Sequence, residues 1–503
     1  MDNLLHGRRK IVTSCLPAQM QQPGFVGPTL NRDTLPTELN NALMVHEKNC
    51  AEEHQLLDIY KNRQKIFRRS GEDRLVNNMV GIPYPNAFTR QIVGYTYPEG
   101  IQLVQNRMEY LKDVETVNRY LRSENKAALD KVMADEQSIF GTHYRAVLPD
   151  TVQFDESPLE IYAMDIFNTF VAYSAYNGNR QVYAWNCFKV KKPDGEERYI
   201  HQIYTAYEKF TYNSSSSRSV QPTDFVSEQP HILGDIPIIE YPNNEFRLGD
   251  WELAVSLFDA INDIASDSVN DVEQTVRSYL ALFGVDPDKT DIKEAKKNQI
   301  LVFNGQPGVN QDAKFITAQI DGNSAALLRS YFEDAVRMVV GIPDRNSSGG
   351  GDTGEAINAK NGWREIDTVA KNKTMYTEMA ERRFLKIVLN ILSPKYISSK
   401  LTPLDIDIKI PRNKDENLQT KVQAGSIMDE MGFDEHDTVE HMDITGDIEG
   451  LATRWIAAKK RRKEEAVNQP WNTPTGADKD DSAQNSGNNP QSNNQPLDKA
   501  TNQ

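Results

Sequence analysis

"LAVSLFDAINDIASDSVNDVE", Leu253 to Glu273, is the stretch that decides the fold. Its apolar residues recur at steps of three and four, which is the period of one face of an α-helix, and the pattern continues to Leu280. The residues of this face are Ala254, Leu257, Phe258, Ile261, Ala265, Val272, Val276 and Leu280. The spacing predicts an amphipathic helix over 249–280 that packs its apolar face on another element.

The opposite face of this helix carries a carboxylate at every fourth position. These residues form the acidic stripe: Asp259, Asp263, Asp267 and Asp271. Like charges four residues apart destabilise a helix by about 0.2–0.5 kcal/mol per pair. Two interpretations remain open, an ordinary solvated surface or a wall that repels phosphate. A metal site is not favoured, because no His or Glu completes a cluster at this spacing.

The segments on either side of the helix differ in period. Residues 139–239 hold runs rich in Tyr, Phe, Val and Ile, separated by the turn signals Asn177-Gly178 and Pro193-Asp194-Gly195, which predicts an antiparallel β meander. After the helix, "QILVF" (299–303) and "KFITAQI" (314–320) are strand candidates, and "NSAALLRSYFEDAVRMVVGIP" (323–343) is a second amphipathic helix. The fold class predicted is therefore α+β.

A glycine run, "RNSSGGGDTGEAINAK" (345–360), separates this second helix from a very long one that ends before Ser393-Pro394. Glycine loses more backbone entropy on folding than any other residue, so such a run suits a phosphate cradle, a tight turn or a moving part. A phosphate loop needs a Lys and a Ser or Thr after its last glycine, whereas here Asp352 and Glu355 form a capping box. The segment predicts a pivot made of Asn346, Ser347, Ser348, Gly349, Gly350, Gly351 and Asp352.

Composition limits the function classes. The 503 residues carry a formal net charge of -15, which argues against a protein that grips nucleic acid over its whole surface. Three widely spaced cysteines predict reduced thiols, and neither a signal peptide nor an apolar run of membrane-spanning length is found. No HExxH, GxSxG or paired catalytic signature occurs, so we expect no enzyme, catalytic residue, metal or cofactor.

The two ends of the chain have little periodicity. Residues 1–35 predict an arm, and residues 467–503 are rich in Asn, Gln, Ser, Asp, Gly and Pro, which predicts a disordered tail. Before the tail, "AAKKRRKEEA" (457–466) places a basic run on a helix. A solvated helix end is the default interpretation, and a contact with nucleic acid is the alternative.

Three motifs together resemble those of a known family. They are "IVGYTYPEGIQL" (92–103), "HILGDIPIIEYPNNE" (231–245) and "LAVSLFDAINDIASDSVNDVE" (253–273). With the glycine loop before a long helix, they resemble the portal (head-to-tail connector) proteins of tailed double-stranded DNA bacteriophages, of the type found in long-tailed phages of Gram-positive hosts. The resemblance covers roughly residues 56–410. Other virion structural or adaptor proteins, and an anion-binding enzyme, are the alternatives.

The resemblance implies a homo-oligomeric ring of about twelve subunits at one capsid vertex, assembled in the host cytoplasm and present in the virion. DNA would pass non-specifically through the ring, packaged by the terminase large subunit and later ejected. Major capsid and scaffolding proteins, a head-completion adaptor and the tail would be further partners, with no membrane involved.

The family's parts carry over onto this sequence as follows: a wing (36–248), a stem helix (249–280), a clip (281–320), a second stem helix (321–345), a tunnel loop (346–354), a long wing helix and strand (355–410) and a crown (411–466). The acidic stripe would line the channel and prevent DNA from adhering. The clip lysines Lys293, Lys296 and Lys297 would act at the motor-facing end, with a solubilising face as the alternative.

Overall fold

The computed structural model describes residues 12–14, 30–70, 76–150, 157–174, 180–193, 195–276, 279–283, 300–303, 312–316, 322–343, 363–412, 418–442 and 448–468. It confirms the α+β class. The helices are α1 (Leu35–Tyr60), α2 (Tyr84–Thr96), α3 (Leu111–Ser123), α4 (Lys126–Phe140), α5 (Val255–Val276), α6 (Gly322–Val340), α7 (Trp363–Leu392), α8 (Leu418–Glu430), α9 (Glu435–Met442) and α10 (Ile448–Asn468). The strands are β1 (Thr13–Ser14), β2 (Gln102–Gln105), β3 (Thr142–Pro149), β4 (Leu159–Met164), β5 (Thr169–Ser174), β6 (Gln181–Lys191), β7 (Glu197–Tyr204), β8 (Glu208–Ser214), β9 (Phe225–Pro230), β10 (Ile238–Pro242), β11 (Tyr279–Phe283), β12 (Ile300–Phe303), β13 (Asp312–Ile316) and β14 (Ile406–Lys409).

The predicted antiparallel meander is present as a six-stranded sheet in the order β1-β5-β6-β7-β8-β9. Successive strands from β5 to β9 pair antiparallel, whereas β1 joins β5 in parallel. Trp185, Phe170 and Tyr183 are buried in one cluster with Leu35 and Leu39 of α1. The strand β1 was not predicted, because two residues carry no readable period.

A second sheet, β10-β3-β4, forms the centre of the molecule. Its apolar residues share one cluster with α3, α4 and the second half of α7, where Phe384, Leu385 and Val388 are fully buried. The helix α7 ends at Leu392, as the following Ser393-Pro394 predicts, and β14 confirms the predicted strand near residue 406.

The structure corrects the length of α5, the helix predicted over residues 249–280. It covers Val255–Val276 and follows a 3₁₀ turn at Glu252–Ala254, so it is shorter than the predicted 249–280. Leu280 lies in β11, where it pairs with Ile300 of β12 and Phe315 of β13. The sequence Tyr-Leu-Ala-Leu-Phe of β11 matches a helical period only by coincidence, and cross-strand pairing decides its structure.

Contacts divide the chain into two compact units, Met1–Glu449 and Gly450–Gln503. The first unit includes the pair α8 and α9, where a Cβ on Gly425 would lie 2.1 Å from the Met442 sulfur, so any larger residue there would have to displace the Met442 side chain. In the second unit, the described part is the single helix α10.

Candidate functional site

The acidic stripe lies on the outward face of α5. Asp263, Asp267 and Asp271 are exposed, whereas Asp259 is half-buried. Burial raises the pKa of Asp259, and the neighbouring charge of Asp263 adds to this effect. The stripe is thus a solvent-facing row of carboxylates within one chain, as the periodicity predicts.

A basic segment of the same chain faces the stripe. Arg69 lies 2.9 Å from Asp267 as an ion pair. A groove of about 530 Å³ is lined by Lys65, Ile66, Arg68 and Arg69 on one side and by Asp259, Asp263 and Asp267 on the other. These cations lower the negative potential of the stripe near Asp267, and nothing in the helical period of α5 could reveal them.

Three polar residues of α5 anchor an extended segment, residues 76–82. The side-chain oxygens of Asn262, Ser266 and Asn270 accept hydrogen bonds from backbone N–H groups at 2.9, 2.9 and 2.6 Å. The donors are Ile82, Val80 and Asn78, respectively. We call these three side chains the polar ladder. A four-residue helical step of about 6 Å nearly equals the rise of two extended residues, so the two repeats stay in register.

The polar ladder determines which way the stripe points. Asn262, Ser266 and Asn270 are buried, and each is followed directly by a stripe carboxylate. One residue further along a helix turns the side chain by about 100°, which carries the carboxylates out to solvent. This role was not predicted from the sequence, although the Asn-x₃-Ser-x₃-Asn repeat is a signal that indicates it.

The start of α5 is fixed to the central sheet and to α7. Lys373 of α7 forms a 2.9 Å ion pair with Asp250, and both side chains are buried. Asn243 donates to the other carboxylate oxygen of Asp250 at 2.8 Å. A Cβ on Gly249 would lie 2.6 Å from the Ile139 carbonyl oxygen, so this backbone contact requires glycine.

A buried group of charges fixes the middle of α7. Lys126 lies 3.1 Å from Asp130 and 2.6 Å from Glu381. Arg145 lies 2.8 Å from Asp130, and the Tyr241 hydroxyl donates to Glu381 at 2.8 Å. Burial acts to raise the pKa of Asp130, but the charges of Lys126 and Arg145 outweigh it and the pKa is lowered. We call these five side chains the buried charge network.

The buried charge network does not resemble a catalytic centre. Its four charged side chains are at most 6% exposed, and its two cations match its two anions. Arg145 also lies 4.9 Å from the centroid of the Tyr241 ring. A set of charges closed to solvent and paired internally serves to orient α7 against α4 and β3.

The helices α5 and α6 expose apolar side chains to solvent. On α6, Leu327, Tyr331 and Met338 are 73%, 66% and 79% exposed. Their spacing places them within about 40° of one another around the helix, and we call them the apolar stripe. On α5, Val269 and Val272 are 44% and 59% exposed. An apolar surface of this kind is a candidate for contact with another molecule.

Two sets of predicted residues lie outside the described residues. They are the tunnel-loop residues Asn346, Ser347, Ser348, Gly349, Gly350, Gly351 and Asp352, and the clip lysines Lys293, Lys296 and Lys297. The predicted capping box of Asp352 and Glu355 lies outside them too, and all of these stay predictions.

The described residues contain no cluster of three or more His, Cys, Asp or Glu side chains suited to a metal ion. Among their helices, none has the length and apolar character needed to cross a membrane. The thiols of Cys50 and Cys187 are free and buried, and burial raises the pKa of each to about 12, which makes both poor nucleophiles.

Residues 44–440 match the model of the family described as "Phage portal protein, SPP1 Gp6-like". No curated protein matches the sequence. Among solved structures, a chain of the "Virion of native gene transfer agent (GTA) particle" is similar at 11% identity with a TM-score of 0.38, covering 76% of this chain and 89% of that one.

Proposed function

Because the chain belongs to the phage portal protein family, SPP1 Gp6-like, and is thereby a virion component, we propose that it forms a ring of about twelve subunits at one capsid vertex. DNA enters the capsid through this ring during packaging and leaves through it during ejection. Head-completion and tail proteins attach to its outer side. Major capsid and scaffolding proteins surround it during assembly in the host cytoplasm.

The observation that supports a ring is the exposed apolar surface of α5 and α6. Leu327, Tyr331 and Met338 would cost free energy if they stayed in water, at about 25 cal/mol per Å² of apolar surface. A neighbouring copy of the same helix pair removes this surface from water. A head-to-tail contact of this kind between copies closes into a ring when the rotation from one copy to the next closes.

The acidic stripe then has the interior of the ring as its environment. A ring of about twelve subunits would present dozens of carboxylates to passing DNA, and their repulsion of phosphate would keep the duplex from adhering. The tunnel loop, residues 346–354, would supply the moving contact with the duplex. Its glycines permit motion, and α7 behind it is held by the buried charge network.

Energy for translocation comes from another protein. The family is structural, and the sequence has no Walker motif, so we propose that the terminase large subunit hydrolyses ATP and docks on the clip. The clip lysines would meet it. Charge reversal at Lys293, Lys296 and Lys297 should weaken terminase binding, and unchanged binding would favour a solubilising role.

Electron microscopy and a packaging assay test the proposal together. Purified protein should show rings with a central hole. Replacing Asp259, Asp263, Asp267 and Asp271 with Lys should leave the rings intact and make DNA stick, so that packaged DNA per particle falls. Replacing Gly349, Gly350 and Gly351 with Ala should stiffen the loop and impair packaging.

Two results would contradict the proposed function. Absence of rings in the unaltered protein would overturn the proposal. Rings together with normal packaging by both variants would mean that the stripe is outer surface and the glycine run a simple connector. Charge changes at exposed positions such as Asp263 and Asp271 usually alter stability by less than about 0.5 kcal/mol each, and thermal melting of both variants separates a loss of packaging from unfolding.

A further inference from the structure

The second half of α10 carries a dense basic run in an acidic protein. Lys459, Lys460, Arg461, Arg462 and Lys463 are consecutive, while the whole chain has a net charge of -15. Lys460, Arg461 and Arg462 are exposed on the helix, and we call these three the basic collar. The preceding turns of α10 are mixed, with the apolar residues Leu451, Ala452 and Trp455 beside the cation Arg454.

Several surface cations of the first unit are neutralised by ion pairs, whereas others, such as Lys48 and Lys131, have none among the described residues. On the surface of the first unit, Lys189 pairs with Glu197 and Lys192 with Glu196, each at 2.7 Å. Further pairs are Arg69 with Asp267, Arg329 with Glu333, Lys386 with Asp235 and Arg412 with Asp367. Within the described part of the chain, no carboxylate forms an ion pair with Lys460, Arg461 or Arg462.

Helical geometry spreads the three charges over more than half of the circumference of α10. Consecutive residues differ by about 100°, so the collar covers about 200° within a rise of about 3 Å. A flat acidic surface could meet only part of such an arrangement. The major groove of B-DNA is about 12 Å wide, close to the diameter of a helix, and has phosphates along both walls.

We propose that the basic collar is a binding site for the phosphate backbone of double-stranded DNA. Arg461 and Arg462 bind phosphate oxygens through paired N–H donors, and Lys460 adds a point charge. Contacts to phosphate oxygens carry no sequence information, so we expect binding that is independent of sequence. This site rests on the proposed function in one respect, since a ring would carry about twelve copies of the collar.

The collar and the acidic stripe have opposite roles in this scheme. The stripe repels the duplex so that it slides, whereas the collar holds DNA by its backbone. Because the site binds through released counterions, its affinity falls with salt by a slope of about 0.9 per phosphate contact.

The test compares two charge-matched variants of the full chain. Lys460→Gln/Arg461→Gln/Arg462→Gln removes the collar charges and keeps a strong helix former at each position. Lys189→Gln/Lys191→Gln/Lys192→Gln removes three positive charges from the end of β6, where Lys189 and Lys192 have carboxylate partners. Affinity for random-sequence duplex DNA is measured by fluorescence anisotropy between about 50 and 200 mM salt.

We expect the collar variant to lose affinity by on the order of tenfold or more and to lose about two to three units of salt slope per bound subunit. The β6 variant should keep both. A third variant, Arg461→Lys/Arg462→Lys, keeps the charge and should retain the slope. Equal affinity and slope in the collar variant and the unaltered protein would overturn the proposal.

Two further measurements separate the alternatives. Poly-glutamate that bound as tightly as DNA, with the same loss in the collar variant, would show a site for acidic protein and overturn the choice of DNA. Ring formation is imaged on the same samples. Collar-dependent DNA binding by protein that forms no rings would support this site and contradict the proposed ring. Rings without collar-dependent DNA binding would support the proposed ring and contradict this site.

Discussion

The centre of the molecule, where α4, α7 and β3 meet, and the α5–α6 helix pair differ in how their side chains are paired and buried. At the centre, Lys126 and Arg145 are matched by Asp130 and Glu381, all buried within one chain. On the helix pair, the apolar stripe of Leu327, Tyr331 and Met338 faces solvent. One region pairs its charges within a single copy, and the other leaves large apolar side chains in solvent.

This difference separates two physical tasks. A buried ion pair contributes orientation more than stability, because desolvation offsets much of its attraction. The centre therefore keeps α7 in one position, whereas in the proposed ring the helix pair would gain free energy by contact with another copy. Mutations at the centre should act on the single chain, and mutations on the helix pair should act on assembly.

The largest expected effect comes from breaking the centre. Arg145→Met keeps the side-chain volume but leaves Asp130 and Glu381 with Lys126 alone, which should lower the free energy of unfolding by about 3–5 kcal/mol. Thermal and denaturant melting measure this. Lys192→Met, which breaks an exposed pair with Glu196, is the matched control and should cost less than about 1 kcal/mol.

A second change restores the charge balance at the centre. Arg145→Met/Glu381→Gln removes one cation and one anion and leaves the Lys126–Asp130 pair, and the introduced glutamine can still accept a hydrogen bond from the Tyr241 hydroxyl. It should recover part of the lost free energy. If Arg145→Met alone costs no more than Lys192→Met, the buried charge network does not hold the centre together.

The next effect concerns pH and a buried histidine under the six-stranded sheet. Burial lowers the pKa of His46 from 6.5 to about 4, and the charge of Arg218 adds to this. Because the folded pKa lies below the unfolded one, stability is complete above pH 6.5 and falls as pH drops from 6.5 toward 4, by on the order of 3 kcal/mol.

His46→Gln removes this titration. The slope of unfolding free energy against pH between 6.5 and 4 should become shallower, with a residual slope from His143 and His201, whose pKa values burial also lowers. Denaturant melts across this range measure it. An unchanged slope in the variant would show that His46 is protonated without cost in the folded chain.

The sequence predicted much of this architecture and part of the site. The helical period of α5, the meander from β5 to β9 and the end of α7 before Ser393-Pro394 are local patterns, which a sequence carries directly. The exposed face of α5 followed from the same period. Family membership followed from motifs such as residues 231–245.

Other features could not be read because they depend on distant residues. Leu280 belongs to β11 through pairing with Ile300 and Phe315. The basic residues near Asp267 lie almost two hundred positions earlier in the chain, as Arg69 shows. The polar ladder joins residues 262–270 to residues 78–82, and its side chains resemble ordinary solvated residues until the extended segment is placed against them.

A smaller effect is expected at the polar ladder, between the two regions. Asn270→Ala leaves the Asn78 backbone N–H without its acceptor and should cost about 1–3 kcal/mol. Ser268→Ala on the same helix is the control, because the Ser268 hydroxyl donates only to the Ile264 carbonyl of its own helix at 2.7 Å. Hydrogen exchange at residues 78–82 should rise in the first variant alone. Equal exchange in both would mean that the ladder does not hold this segment.

The smallest effect on a single chain should come from the apolar stripe. Leu327→Gln/Tyr331→Gln/Met338→Gln changes side chains that are already 73%, 66% and 79% exposed, so the unfolding free energy of the isolated subunit should change by less than about 0.5 kcal/mol per site. Ring formation should nevertheless be lost, because the surface that would be buried between copies has become polar. Analytical ultracentrifugation and electron microscopy measure assembly, and melting of the subunit fraction measures stability. The control, Tyr207→Gln/Val226→Gln/Ile232→Gln, removes three exposed apolar side chains around β9 and should leave the rings intact. Rings in the first variant, or loss of rings in the control alone, would move the subunit contact from α6 to the edge of the sheet.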